Sequence, residues 1–521
     1  MLFSLRSIVR ALLRRGCAVS LVVALGVSPA PVALSQINLP NLGDAESEVL
    51  SPANERKLGE QVMRELRNAG EIFEDAELTE YLTNLGLELT AASASVSGGG
   101  SAVAATDFTF FPVLDTTVNA FALPGGFIGV HTGLIALAQT ESELASVLAH
   151  EIAHVTQRHI ARRFADQKTS TLAIFGALLL AIVAARSGGS SSGDAAQAAL
   201  AIGQAGAIQQ QLNYSRDAER EADRIGFQTL VKAGYEPQAM PDFFQRLQNA
   251  SRIQDSNAYP YLRTHPLGVE RIADTQNRVR QERYRQHADG IDFHLIRARV
   301  RALRDTSVAG LREAKTDFES QLAVNANARG ARAAAAYYGL AIVQLGQRDL
   351  DGATRSINEA RKRGEAHPFI EKLAAQVQVE RKDLGGAVAT MDAARQKWPA
   401  SRTLRVAYAQ TLQVANAHAQ AIGYLREQVS LYRSDAKLFE LLARSYSATN
   451  QPAREHQAIA EVYQLRGGTR AAVDQLEIAR RYARTGSSND DLILGSEIEA
   501  RLRELRAQLL EELKDSQRGR G

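Results

Sequence analysis

Apolar residues recur along this chain at two different spacings, and each spacing predicts a different element. Three- and four-residue intervals over about 52–68 and 76–92 predict two helices, the second beginning at Glu74 or Asp75. Residues 93–106 are serine, alanine and glycine without period and read as a loop. From 107 to 131 the pattern shortens. Asp107 to Leu114 reads as one strand, Val118 to Gly126 as a strand running into a turn, and Phe127 to His131 as the next strand. Pro124, Gly125 and Gly126 limit pairing at that turn, so an edge strand is expected at Asn119, Ala120 and Phe121. Helical spacing returns with Leu144, Leu148, Ile152 and Val155, a stripe that extends to Arg163, with Glu141 and Glu143 at the positive N-terminal end.

Residues 172–185 are apolar over 14 successive positions, too short to span a bilayer. With the small-residue run 195–208 they read as an apolar hairpin over 170–210. That hairpin either covers a cleft or touches a membrane surface, and the residues do not choose between the two. From about 330 the chain is helical with a long period. Ala341, Ala375, Ala409 and Ala443 recur every 34 residues, and Ala353, Ala387 and Ala421 follow twelve later at the same period. Pro399 fits the helix-ending position of one unit. Paired helices with this period are tetratricopeptide (TPR) repeats. The alanines mark where the two helices of a unit pack too closely for a larger side chain. Residues 291–330 read as a divergent leading pair and 470–513 as degenerate capping helices. Such an array presents a concave surface to a protein and does no chemistry itself.

Composition adds an address. Arg6, Arg10, Arg14 and Arg15 precede an apolar run from Ala18 to Val27, and small residues at Ala33 and Ser35 follow. This is the pattern of a secretory signal, expected to be cleaved after residue 35; a membrane anchor is the alternative. The four arginines account for the net charge of +3, and the remaining chain carries 57 basic against 58 acidic residues. No nucleic-acid footprint is present. The single cysteine, Cys17, lies inside the leader, so neither a cysteine nucleophile nor a disulfide is expected in the processed chain.

Candidate chemistry centres on His150-Glu151-Ile152-Ala153-His154. Residues i and i+4 share a helix face, so His150 and His154 can grip one Zn²⁺ while Glu151 takes a proton from the attacking water. A hydrolytic zinc site needs three protein ligands and an open position. A third histidine six residues after the second would fall on Ile160, which excludes that subclass. The remaining candidate is the helix that carries Glu219 and Asp223, again i and i+4. Glu219 is the expected third ligand, and Asp223 is expected to orient a ligand imidazole. Glu221 lies about 200° from Glu219 on that helix and should point elsewhere. On an unbroken helix His159 lies about 140° round from His154 and should not share the metal.

The zinc motif, the run from Ser215 to Asp223 and the run from Asn119 to Gly126 together resemble the HtpX/Oma-type gluzincin peptidases. Tyr259-Pro-Tyr-Leu-Arg-Thr-His265-Pro266 narrows the resemblance to periplasmic β-barrel assembly-enhancing (BepA-type) proteases. The resemblance implies an α+β zincin-like metallopeptidase domain, mostly helical with a small edge sheet, followed by an all-α TPR solenoid. It sets a leader at 1–35, the peptidase at 36–290 and the repeats at 291–521. It implies one Zn²⁺ per chain on His150, His154 and Glu219, Glu151 as general base and acid, and His265 as a fourth ligand that holds the enzyme latent. A plain turn cap before Pro266 is the other reading of His265. It further implies a periplasmic enzyme that acts on misfolded or stalled outer-membrane proteins, partnered with the barrel-assembly machinery through the repeats, with a chaperone-like role and no nucleic acid. Peripheral membrane contact stays open. The competing reading is a TPR scaffold whose peptidase is normally silent.

Overall fold

A computed structural model describes residues 50–96, 107–167, 215–253, 258–324, 329–484 and 489–518. The expected leader (1–35), residues 97–106 of the expected loop and all of the expected hairpin at 170–210 lie outside the described residues, and residues 93–96 of that loop are helical instead. Three strands, β1 (Thr109–Val113), β2 (Ala120–Leu123) and β3 (Phe127–His131), form a sheet in the order β1-β3-β2. β2 and β3 are an antiparallel hairpin with Ala120 opposite Val130, and β1 runs parallel to β3 with Thr109 opposite Phe127. The hairpin turns on Gly125 and Gly126 at φ +76° and +87°, values that suit glycine best.

β2 is therefore an edge strand. The His131 N–H donates to the Asn119 carbonyl at 3.0 Å. Antiparallel alternation then points the backbone groups of Asn119 and Phe121 toward β3 and those of Val118, Ala120 and Ala122 toward the free edge. Of the three residues expected to present an edge, only Ala120 does so with its backbone. At Val118 the edge is already covered. Its N–H donates to the Ala258 carbonyl at 2.9 Å, and its carbonyl accepts from the Tyr261 N–H at 3.3 Å.

Helices α1 (Pro52–Asn68), α2 (Ala76–Val96), α3 (Thr132–Leu137) and α4 (Glu141–Thr156) follow the expected order around this sheet. Thr140 caps α4, its hydroxyl accepting from the Glu143 N–H at 3.2 Å, and almost the whole of α4 is buried. The expected continuation of this helix to Arg163 does not occur. Arg158 takes a left-handed conformation at φ +51° and breaks the rod. Its side chain fixes the break by donating to the Leu50 carbonyl at 2.5 Å and to Glu55 at 3.2 Å. A new helix, α5 (His159–Gln167), begins at once. The peptidase region continues with α6 (Arg216–Lys232), α7 (Ala239–Ile253), a single turn α8 (Tyr261–Thr264) and α9 (Val269–Val279). α6 lies directly on α4. A Cβ at Gly226 would sit 3.0 Å from the His150 Cα, so a larger residue would have to push the two backbones apart.

The remaining helices are α10 (Ile291–Leu303), α11 (Val308–Val324), α12 (Ala331–Gly346), α13 (Leu350–Arg363), α14 (Pro368–Glu380), α15 (Leu384–Lys397), α16 (Arg402–Val414), α17 (His418–Leu431), α18 (Ala436–Ala448), α19 (Pro452–Leu465), α20 (Thr469–Ala483) and α21 (Asn489–Arg518). α12 to α19 are TPR helix pairs, and every alanine of the two 34-residue series is buried in them. The period extends to the backbone. Arg348, Lys382, Asn416 and Asn450, each 34 residues apart, all adopt positive φ in the turn between the helices of a pair. In the first two turns the next residue, Asp349 or Asp383, caps the second helix.

The two regions share one continuous hydrophobic core, from Leu78 on α2 to Val377 on α14. Three acids at the start of α2 reach into the repeats. Asp75 pairs with Arg299 of α10 at 2.6 Å. Glu77, fully buried, meets Lys372 of α14 at 2.6 Å and the Tyr338 hydroxyl of α12. Glu80 accepts from the Thr403 N–H at 2.6 Å and so caps α16. Removing one partner of a buried charge cluster strands the others. Glu77→Ala is therefore expected to cost about 3 kcal/mol, read as a lower midpoint of denaturant unfolding. An unchanged midpoint would show that the clamp adds nothing.

Candidate metal centre

α4 presents His150 and His154 on one buried face, as their i, i+4 spacing requires. α6 brings Glu219 against them, and the turn after α8 brings His265. The four donors close on one point. His150 Nε2 is 3.0 Å from His154 Nε2 and 3.4 Å from His265 Nδ1. Glu219 Oε1 is 3.0 Å from His265 Nδ1 and 3.4 Å from His154 Nε2. His150 Nε2 is 3.5 Å from Glu219 Oε2. A tetrahedral ion with metal–nitrogen bonds of about 2.0–2.1 Å holds its ligand atoms about 3.3 Å apart. Among the described residues this is the one group of four such donors, and none of them is more than 2% exposed.

The charges also require a cation. Glu151, Glu219 and Asp223 are all buried, and Arg271 is the cation that faces Glu219 and Asp223. Among the described residues, three carboxylates against one guanidinium leave two negative charges, which a dication would balance. Without a metal the side chains must take up protons instead. Burial pushes His150 down, but Asp223 and Glu219 outweigh it and hold the imidazole up to about 9. Burial raises the Glu151 carboxyl against the pull of His265 and His150. Glu219 is held well below the usual carboxylate range, because His265, His150 and His154 outweigh its burial. Burial drives His154 well below the usual histidine range, so it stays neutral. Neither Glu151 oxygen makes a hydrogen bond of normal geometry to a described residue, and His265 Nε2 is 3.5 Å from Oε1.

Ion pairs and hydrogen bonds outside the donor set fix its orientation. Asp223 Oδ1 lies 3.1 Å from His150 Nδ1, which leaves Nε2 of that ring as the donor. Arg271 holds Asp223 with two bonds of 2.7 Å and meets Glu219 Oε2 at 2.6 Å. The same guanidinium donates to the Pro266 carbonyl at 2.9 Å, beside His265. Tyr261 stacks on His265 with ring centroids 4.5 Å apart. Nothing in the sequence singles out Arg271, since an arginine two residues into a helix reads as solvated, and Tyr261 stands in the run from Tyr259 to Pro266 with no role of its own. His159 and Glu221 also belong to this shell. Both stand aside from the four donors, but His159 Nδ1 is 2.8 Å from His154 Nδ1, and its Nε2 is 3.1 Å from Glu221. Of the expected edge residues, Ala120 and Phe121 lie on β2 and Asn119 just before it, and Ala122 of β2 reaches Glu151 through its backbone.

Residues 89–279 match peptidase family M48. A Vibrio cholerae protein is 37% identical over 474 residues, covering 90% of this chain and 93% of that one. The β-barrel assembly-enhancing protease of Escherichia coli strain K12 is 30% identical over 487 residues, covering 91% and 94%. The mitochondrial metalloendopeptidase OMA1 of Schizosaccharomyces pombe is 32% identical over 160 residues, covering 31% and 43%. The family match spans all four donors, and the two long matches include the repeats. The chain is a metallopeptidase that belongs to family M48, among the β-barrel assembly-enhancing proteases.

Proposed function

We propose that this chain is a periplasmic zinc endopeptidase that acts on outer-membrane β-barrel proteins during their assembly and quality control. The observation that carries this reading is the buried quartet of His150, His154, Glu219 and His265 with the buried carboxyl of Glu151 beside it. His150, His154 and Glu219 are the zinc ligands, and Asp223 orients His150. Zinc, when bound, supplies Lewis acidity toward the scissile carbonyl and the attacking water. Glu151 takes the proton of that water and returns it to the leaving amine. The substrate lies along β2 as an added strand, hydrogen-bonded to the outward backbone of Ala120. The leader at 1–35 delivers the chain to the periplasm, residues 36–290 do the chemistry, and the repeats at 291–521 hold the barrel protein or its assembly machinery.

The resting state is closed twice. His265 fills the fourth donor position, and the segment that carries it pairs with Val118, two residues before β2 and in line with its free edge. This arrangement favours a second role beside the first, a repeat-based chaperone whose peptidase is held latent until the segment after Ala258 is displaced.

Three outcomes test the reading. Glu151→Gln keeps the ligands and removes the base, so cleavage of an unfolded barrel protein should fall by about 10²–10⁴-fold at unchanged zinc content; full retention of cleavage defeats the mechanism. His265→Ala frees the fourth position and should raise basal cleavage, while equal or lower cleavage counts against the latch. The third concerns protons. His150 is charged at pH 7 in the metal-free fold and must be neutral to ligate, so zinc uptake should release a proton. Zinc affinity is then expected to rise with pH up to about 9 and level off above it. Calorimetry in buffers of different ionisation heat measures the proton count, and zero release between pH 7 and 8 contradicts it.

A further inference from the structure

Resting on the zinc reading above, we propose that His159 and Glu221 are positioning residues that fix His154 as a metal ligand through a hydrogen-bonded relay. The relay runs outward from the buried donor. Glu221 is held by Arg162 at 2.6 Å and lies 3.1 Å from His159 Nε2, so its carboxylate accepts the proton on that nitrogen. The other ring nitrogen of His159, Nδ1, then carries a lone pair. It lies 2.8 Å from His154 Nδ1, which must supply the hydrogen between them. With its proton on Nδ1, His154 points the bare lone pair of Nε2 at the donor set. His150 reaches the same state through Asp223, whose Oδ1 lies 3.1 Å from its Nδ1. His159 transmits the carboxylate's effect from a helix that is not part of the zinc motif.

The relay depends on the helix break. On a straight continuation of α4, His159 would lie about 140° from His154 and could not reach it. The left-handed Arg158, anchored on Glu55 and the Leu50 carbonyl, turns the chain so that the first residue of α5 folds back onto the ligand. His159 is 3% exposed and packs its ring edge-on to that of His154 at 4.8 Å, whereas Glu221 and Arg162 are about one-third exposed. The outer end of the relay can therefore be altered with little effect on packing.

Outer-shell partners of this kind change metal affinity by about 10–100-fold. The test uses the full-length chain and zinc competition against a chromophoric chelator, with melting of the metal-free proteins as the control for folding. His159→Phe, which cannot accept, should bind zinc about 10–100-fold more weakly. His159→Asn, which keeps an acceptor oxygen near Nδ1, should recover most of that loss. Glu221→Ala, a change at the partly exposed end, should weaken zinc in the same direction and serves alone if His159→Phe fails to fold. Equal affinity in wild type, His159→Phe and Glu221→Ala overturns the relay while leaving the zinc reading intact. So does an Asn variant as weak as the Phe variant, which would show that the ring's bulk matters and its acceptor does not. A wild-type chain that takes up no zinc overturns both.

Discussion

The structure depends on keeping three carboxylates and a cluster of imidazoles in a place where water cannot screen them. Glu151, Glu219 and Asp223 lie within a few side chains of one another, all buried, with Arg271 as the cation that faces two of them. Such a group is costly to bury and is stable only if every charge has a fixed partner. Each neighbouring feature meets part of that requirement. Asp223 and Arg271 form a two-bond pair, Glu219 gives one oxygen to the arginine and one to the imidazoles, and His150 is charged unless a metal ion takes its place. Glu151 is met less closely, by the His265 imidazole at 3.5 Å and by the Ala122 backbone. A carboxyl whose proton affinity is raised by burial, next to a cation site, is suited to accept a proton and then release it.

That requirement reaches into the backbone. The donors come from two helices and the turn after α8, and the two helices meet closely because Gly226 lets α6 approach the backbone of α4 at His150. The same constraint explains why the repeats do not hang from a flexible linker. α2, which packs under α4, extends Asp75, Glu77 and Glu80 into α10, α12, α14 and α16, and one apolar core runs through both regions. A helix that must hold the site still is itself held by the array that presents a protein to it.

Local spacing made a good part of this legible. Residues i and i+4 fix a shared helix face, which is enough to put His150 with His154 and Glu219 with Asp223. Alternation and a Pro-Gly-Gly turn are enough for the β2–β3 hairpin, and a 34-residue period is visible because alanines repeat it in two phases. What was not legible lies where a conformation has no residue signature. Arg158 is left-handed without being glycine, so the break after Thr156 is invisible and His159 reads as pointing away. The same holds for Arg348, Lys382, Asn416 and Asn450, whose positive φ repeats although the residue type does not. Asp75, Glu77 and Arg271 look like ordinary charges near helix ends. Only tertiary packing shows that their partners lie from 48 to nearly 300 residues away.

Arg271 shows how closure of the site is tied to its assembly. One guanidinium holds Glu219, Asp223 and the carbonyl of Pro266, so the segment that carries His265 is fastened to the charges that build the donor set. Its other end is fastened to Val118 at the start of β2. A movement that withdraws His265 without disturbing Glu219 must therefore pivot between these two points. It would break the stack of Tyr261 on His265 and the bonds at Val118 while the Arg271–Asp223 pair stays in place. Under the proposed latch, a side chain that left alone would vacate the fourth donor position but leave Val118 covered, and freeing Val118 alone would leave His265 among the donors. The proposed opening therefore requires both, and the short segment from Ala258 to Pro266 is the part of the described chain that joins them.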